Sequence, residues 1–145
     1  MITIKIIPSK ETYPVRQPVL RAGKPIESCC FDGDDLETTV HFGLYFDKDL
    51  AGVVSVFESR NANFPEERQM QIRGMAVLEG YQKKGFGNFL VNRVEEYAKS
   101  KNVPLLWFNA RETAVRFYEK LQYTTIGPAF EIQEIGTHYV MFKHL

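Results

Sequence analysis

The stretch Gln82-Lys83-Lys84-Gly85-Phe86-Gly87 stands between a strand-like run, Gln71 to Leu78, and a helically patterned run, Gly87 to Lys101. A strand, a glycine turn and a helix in that order form a cradle for an anion. Glycine lets the backbone approach the ligand, and the first N–H groups of the helix point outward with the macrodipole behind them. Lys83 and Lys84 add positive charge. Residue identities narrow the choice of anion. A dinucleotide fingerprint requires a third glycine where Leu90 stands. A P-loop, suggested by the gap from Gly80 to Gly85, requires a lysine and a hydroxyl where Phe86 and Gly87 stand.

Outward from this turn, Leu90, Val91, Val94, Tyr97 and Ala98 recur at helical spacing, with Arg93, Glu95, Glu96 and Lys99 expected to face away. Val103 to Asn109 is almost continuously apolar, as a strand buried on both faces is. Strand, helix and strand then predict a right-handed βαβ unit, with the anion site at the C-terminal end of the first strand. Upstream, Thr3 to Ile7 reads as a strand, and Glu11 to Arg21 as a short helix disturbed by Pro14 and Pro18. Ala22 to Glu37 reads as a long loop. Thr39 to Phe46 and Ala51 to Glu58 form a predicted hairpin, and Arg60 to Arg68 a polar connection. Downstream come a helix over Glu112 to Leu121 and two strands. These are Tyr123 to Glu134, broken at Gly127-Pro128, and Thr137 to Lys143.

The 145 residues, 44% of them hydrophobic, suffice for one domain with a core. Eighteen basic and eighteen acidic residues cancel. No overall basic field is therefore available for nucleic acid or an anionic membrane, and a small-molecule or peptide partner is expected. No apolar run approaches about 18 residues, and the N-terminus alternates like a strand, so a soluble, cytoplasmic protein is expected. Cys29 and Cys30 are adjacent and read as reduced bystanders. Asp32, Asp34 and Asp35 read as a solvated loop cluster, and the three scattered histidines give no metal site. His41 and His144 read as ordinary strand and terminal residues. A homodimer is left open.

The pattern of Gln82, two residues, Gly85, one residue and Gly87 resembles the acetyl-CoA pyrophosphate loop of the GNAT family of N-acetyltransferases. A second segment, Asn109-Ala110-Arg111-Glu112-Thr113-Ala114-Val115-Arg116-Phe117-Tyr118-Glu119-Lys120-Leu121, is similar to the stretch that follows the fifth strand in that family. The order of predicted elements matches too. The ending, Gly136 to Lys143, and the head around Val19 to Pro25 resemble the small bacterial YjcF-like or ElaA-like members. The resemblance implies an α/β GNAT fold. Its mixed central sheet has about six to seven strands, helices on both faces, and a splayed pair of parallel strands that holds the cofactor.

The same resemblance implies acetyl-CoA as co-substrate, no metal, and direct attack of an amine on the thioester. The backbone of Met75, Ala76 and Val77 pairs with the pantetheine arm, and Met75 or Val77 polarises the thioester carbonyl. Gln82, Lys83, Lys84, Gly85, Phe86, Gly87 and Asn88 hold the pyrophosphate. Asn109 contacts the pantetheine amides, and Tyr118, beside Phe117, protonates the leaving thiolate. A phenol suits that role because its ordinary pKa, about 10, keeps it protonated at neutral pH. A core aromatic is the plainer reading of Tyr118, and a strand-end or N-cap residue that of Asn109.

Two departures stand out. Where many members of the family place a glutamate base, this chain has Arg73, whose guanidinium suits either a substrate carboxylate or a structural acid. Leu121-Gln122-Tyr123 replaces the usual Leu-Gly-Phe, removing a helix-terminating glycine. Glu58, Glu79 and His138 are the remaining candidates for proton acceptor. A non-catalytic CoA-binding module, and a binder of another phosphorylated ligand, stay open as alternatives.

Overall fold

The computed structural model describes residues 1–145. Its elements are β1 (Ile2–Ile7), α1 (Tyr13–Leu20), β2 (Val40–Phe46), β3 (Asp49–Glu58), β4 (Met70–Val77), α2 (Phe86–Ser100), β5 (Leu105–Arg111), α3 (Val115–Glu119), β6 (Thr124–Ile132) and β7 (Gly136–His144). The strands form a seven-stranded mixed sheet in the order β1-β2-β3-β4-β5-β7-β6. β4 and β5 run parallel, with Met70 opposite Leu106 and Gln71 opposite Trp107, while β7 lies antiparallel between β5 and β6. No helix is long and apolar enough to cross a membrane.

The chain divides into two compact units, Met1–Phe57 with Ile72–Tyr97, and Glu58–Gln71 with Ala98–Leu145. In the first unit the alternation of β3 assigns the layers. Val53 packs with Val15, Val19 and Leu20 of α1. Its neighbour Gly52 faces Leu90 of α2, whose Cδ1 lies 3.1 Å from where a Cβ would stand. Adjacent strand residues point to opposite faces, so the two helices cover opposite faces of this part of the sheet.

α1 begins later than the sequence predicts. A 3-10 turn occupies Ser9–Thr12, and the α-helix starts at Tyr13 with Pro14 in its first turn. Proline fits there because the N–H it lacks has no partner in a first turn. Two further expectations are corrected. Glu95 does not face solvent but is 8% exposed. Asp34 is not a solvated loop residue. It is 4% exposed and ion-paired with the fully buried Arg16, 2.6 Å from Oδ2 to Nη1. Burial of both charges is tolerated because the pair is bidentate and further hydrogen-bonded.

In the second unit, β5 is apolar on both faces because both are covered. Phe108 packs on Tyr118 and Tyr123, with ring centroids 4.3 and 5.1 Å away. Leu105 and Trp107 instead join Phe64, Ile126, Val140 and Phe142. The predicted break at Gly127-Pro128 is a bulge within β6, where Gly127 has φ of 76° and the register with β7 shifts. The predicted helix over Glu112 to Leu121 is a 3-10 turn, Glu112–Ala114, followed by the five residues of α3.

Candidate active site

In the first unit, β4, a glycine turn and α2 follow one another, the order expected of an anion cradle. The Gln82 side chain donates from Nε2 to the Val77 carbonyl, 2.9 Å away, tying the turn back to the strand. Lys83 and Gly85 take left-handed conformations, φ of 65° and 81°. The Gly85 carbonyl accepts from the Phe89 N–H, which makes Gly85 the N-cap of α2. The N–H groups of Phe86, Gly87 and Asn88, the first three of the helix, have no partner in the protein. Lys83 and Lys84 are exposed beside them. Phe86 departs from its expected part. Its side chain is 4% exposed and packs on Tyr81 and Phe46, so only its backbone is offered to a ligand.

Immediately upstream, Gly74 lies inside β4 with φ of +65°. A left-handed glycine within a strand kinks it in the manner of a β-bulge, and re-aims the backbone groups on either side. The position is doubly restricted to glycine, because an added Cβ would lie 3.1 Å from the Phe31 ring and 3.3 Å from Nε of Arg16. Met75 and Val77 are half-buried and Ala76 is buried.

Behind the bulge lies a buried polar cluster that the sequence does not announce. The Arg16 guanidinium donates to both carboxylate oxygens of Asp34, to the Cys29 carbonyl and, from Nη2, to Ser55 Oγ. His41 places Nε2 2.9 Å from the Asp34 carbonyl and Nδ1 2.6 Å from Ser55 Oγ. The carbonyl can only accept, so the hydrogen belongs on Nε2, and Ser55 donates to Nδ1 while accepting from Arg16. Only Nε of Arg16 lacks a partner. The cluster joins α1, the 22–37 loop, β2 and β3 behind β4. No local motif could have revealed it, because its hydrogen-bonded members are 7 to 39 positions apart.

Arg73 rests between two rings, 5.3 Å from the centroid of Phe31 and 5.0 Å from that of Phe57, and donates from Nη1 to the Asp32 carbonyl. Burial lowers its pKa from the ordinary arginine value, opposed by the nearby Asp34 carboxylate. Its hydrogen-bond partner is a backbone carbonyl and not a structural acid. Glu79 is exposed in the turn after β4.

In the second unit, β5 ends with Asn109 exposed and Ala110 buried. Tyr118 is 8% exposed, its ring against Phe108, Phe117 and Tyr123. Burial raises its phenol pKa well above the ordinary value, because the phenolate would be poorly solvated there. α3 closes with Gln122 N–H on the Glu119 carbonyl and Tyr123 N–H on the Tyr118 carbonyl, a Schellman pattern with Gln122 left-handed at φ of 76°. Here glutamine takes the conformation that glycine usually supplies.

His138, 4% exposed, stands opposite Arg111 in the β5–β7 ladder, two positions from the Asn109–Val140 pair. Its Nδ1 lies 2.8 Å from the Gly136 carbonyl and so carries the hydrogen, leaving the Nε2 lone pair available. Glu58 is set apart. It lines a cavity of about 240 Å³ with Arg60, Glu67, Arg68, Gln69 and Val103. Val103 is six residues before Asn109, about 20 Å along an extended chain. Within this unit Asn109, His138 and Tyr118 belong to one end, and Glu58 to the other.

Residues 9–123 match the Acetyltransferase (GNAT) family. An N-acetyltransferase of Bacillus subtilis, the uncharacterized YitI, is 33% identical over 145 residues, covering 100% of this chain and 97% of that one. Among solved structures, Escherichia coli ElaA superposes with a TM-score of 0.74 at 17% identity, over 99% of each chain. Arabidopsis thaliana NAA60 in complex with acetyl-CoA gives a TM-score of 0.74 at 14% identity, over 100% of this chain and 99% of that one. The chain belongs to the GNAT acetyltransferase family, and the two structures share its fold.

Proposed function

We propose that this protein transfers the acetyl group of acetyl-CoA to an amine by direct attack in a ternary complex. The observation that carries the proposal is the start of α2. Three consecutive backbone N–H groups without protein partners, behind a left-handed Gly85 cap and flanked by two exposed lysines, offer a seat for a pyrophosphate. Membership of the acetyltransferase family supports reading that pyrophosphate as part of acetyl-CoA, with which NAA60 forms a complex. The whole chain acts as one domain in this proposal, since the family match extends over parts of both units.

The roles of the individual residues in this proposal are those that the resemblance to the family implies. The pantetheine arm lies along the backbone of Met75, Ala76 and Val77, with Asn109 meeting its amides. Attack of the amine nitrogen on the thioester carbon gives a tetrahedral oxyanion, stabilised by a backbone N–H of Met75 or Val77, a donor that needs no reorganisation. Collapse breaks the C–S bond, and Tyr118 gives its proton to the leaving thiolate. Burial keeps Tyr118 protonated throughout the working range, so the acid form is always at hand. The proton lost by the amine goes to His138 Nε2 or, through water, to Glu79.

The test is CoA release with polyamines, amino acids, aminoglycosides and peptide N-termini as acceptors. Amine-dependent release from at least one class is expected. Tight acetyl-CoA binding with no release from any class would instead indicate a non-catalytic CoA-binding module, to which the absence of a carboxylate at Arg73 would then be relevant. Binding of ATP or NAD in preference to acetyl-CoA would overturn both.

A further inference from the structure

Phe31 is ringed by arginines. The guanidinium carbons of Arg16, Arg21 and Arg73 lie 3.9, 4.9 and 5.3 Å from its centroid. Like charges gathered on one ring repel, and each of Arg16 and Arg21 lowers the pKa of Arg73. Only one of the three is neutralised by contact. Arg16 holds Asp34 in a bidentate pair. Arg21 donates from Nε to the Ser28 carbonyl and from Nη1 to the Leu20 carbonyl, and Arg73 from Nη1 to the Asp32 carbonyl. Carbonyls satisfy donors without cancelling charge. Of the two carboxylates that act on Arg73, Asp34 is committed to Arg16, which leaves the exposed carboxylate of Asp32 as the local counter-charge.

The geometry of Arg73 is that of a prepared fork. The rings of Phe31 and Phe57 bracket its guanidinium, so part of the entropy of ordering a long side chain is already lost. Nε and Nη2 have no protein partner, yet neither is among the buried unpartnered atoms, so both reach the surface. Two parallel donors on one guanidinium match the two oxygens of a carboxylate. Arg73 is also adjacent to the Gly74 bulge and two residues from Met75, one of the proposed oxyanion donors.

We propose that the acceptor amine carries a carboxylate, which Arg73 grips with Arg21 completing the positive field. This rests on the acetyl-transfer proposal and adds the substrate class to it: amino acids and other amino-carboxylates rather than polycationic amines. A polyamine brought to this surface would meet two guanidiniums against the single exposed carboxylate of Asp32 and be repelled.

The test uses a probe pair differing only in the anion, N-acetyl-L-phenylalanine and N-acetyl-L-phenylalaninamide, titrated calorimetrically into the CoA-saturated protein. The carboxylate should bind about tenfold or more tightly, the worth of one charge-assisted pair. Arg73→Gln should reduce the ratio to about one with acetyl-CoA affinity unchanged, and Arg73→Lys should restore it only in part. Asp32→Asn, which removes the competing carboxylate, should increase the ratio. Equal binding of the two probes, binding of neither, or a ratio insensitive to Arg73→Gln overturns the proposal. CoA release with phenylalanine and its amide separates the two levels. Faster acetylation of the amide sinks the carboxylate while leaving acetyl transfer standing. Acetyl-CoA binding without release from any amine, in a protein that still prefers the carboxylate probe, sinks acetyl transfer alone.

Discussion

Tyr118 places a phenol among Phe108, Phe117 and Tyr123, and that burial makes it both a durable acid and a liability at high pH. Tyr118→Phe keeps the ring and its packing while removing the proton, so turnover on an identified acceptor should fall about 100-fold, with little change in the KM for acetyl-CoA. Unchanged turnover across the pH range would make Tyr118 a core aromatic only. For stability, the folded pKa lies above the unfolded one. The contribution is therefore complete below about pH 10, and lost as pH rises beyond that, because the unfolded chain releases its proton first. Alkaline urea melts should accordingly fall more steeply for the wild type than for Tyr118→Phe.

Gln122 offers the opposite sort of change. It takes φ of 76° at the end of α3, where a side chain is strained and glycine is not. Gln122→Gly should stabilise the protein by about 1 kcal/mol, read from the urea midpoint. A loss of stability would mean that the glutamine side chain compensates its own strain.

Among the elements, β4 and α2 were legible in the sequence because their information is local. The helical spacing from Leu90 to Ala98 and the glycines that precede it at 85 and 87 lie within 14 consecutive residues. The parallel partner of β4 was legible as the second strand of the βαβ unit, but the side chains packed behind β4 were not. Arg16 and Asp34 are 18 positions apart, and nothing near either shows that one charge is buried against the other. The same holds for Phe31 and Phe57, two unremarkable aromatics until the fold sets both beside Arg73. Glu95 is buried contrary to its helical pattern for a related reason, since a helical wheel shows which side is polar but not what covers it.

The buried pair makes the 22–37 segment part of the framework of β4. Asp34→Ala leaves the Arg16 charge buried and uncompensated, and should cost about 3–5 kcal/mol, measured by urea unfolding. Arg16→Met with Asp34→Leu removes both charges and should cost clearly less than either single change. If the double variant is as damaged as the sum of the singles, the pair does not act as a unit. Gly74→Ala should cost at least about 1–2 kcal/mol from backbone strain alone, and more because Phe31 must move. CoA release should fall with it, since Arg73 and Met75 flank the bulge.

For the molecule as a whole, the family match overlaps both compact units, and we predict that they unfold as one. A single calorimetric transition is expected, with equal calorimetric and van't Hoff enthalpies. Two resolved transitions would mean that the units unfold independently. Acetyl-CoA at about 100 times its Kd should contribute about 2.7 kcal/mol, raising Tm by about 6–10 °C, and Gly85→Val should diminish that rise. Gly85 has no neighbour within 4 Å of an added Cβ, so a weaker response would reflect the backbone conformation of the cradle rather than crowding.

The close approach of Gly74 to Phe31 and Arg16 also bears on descent. Three positions far apart in the chain share one small volume, so they are not free to drift separately. A relative that has acquired a side chain at position 74 should also have shortened the aromatic at 31 or given up the arginine at 16. Where the arginine is gone, the aspartate at 34 has no reason to persist. Substitutions at these four positions should therefore arrive together across lineages, and the bulge would be recognisable in a new sequence from the company its glycine keeps.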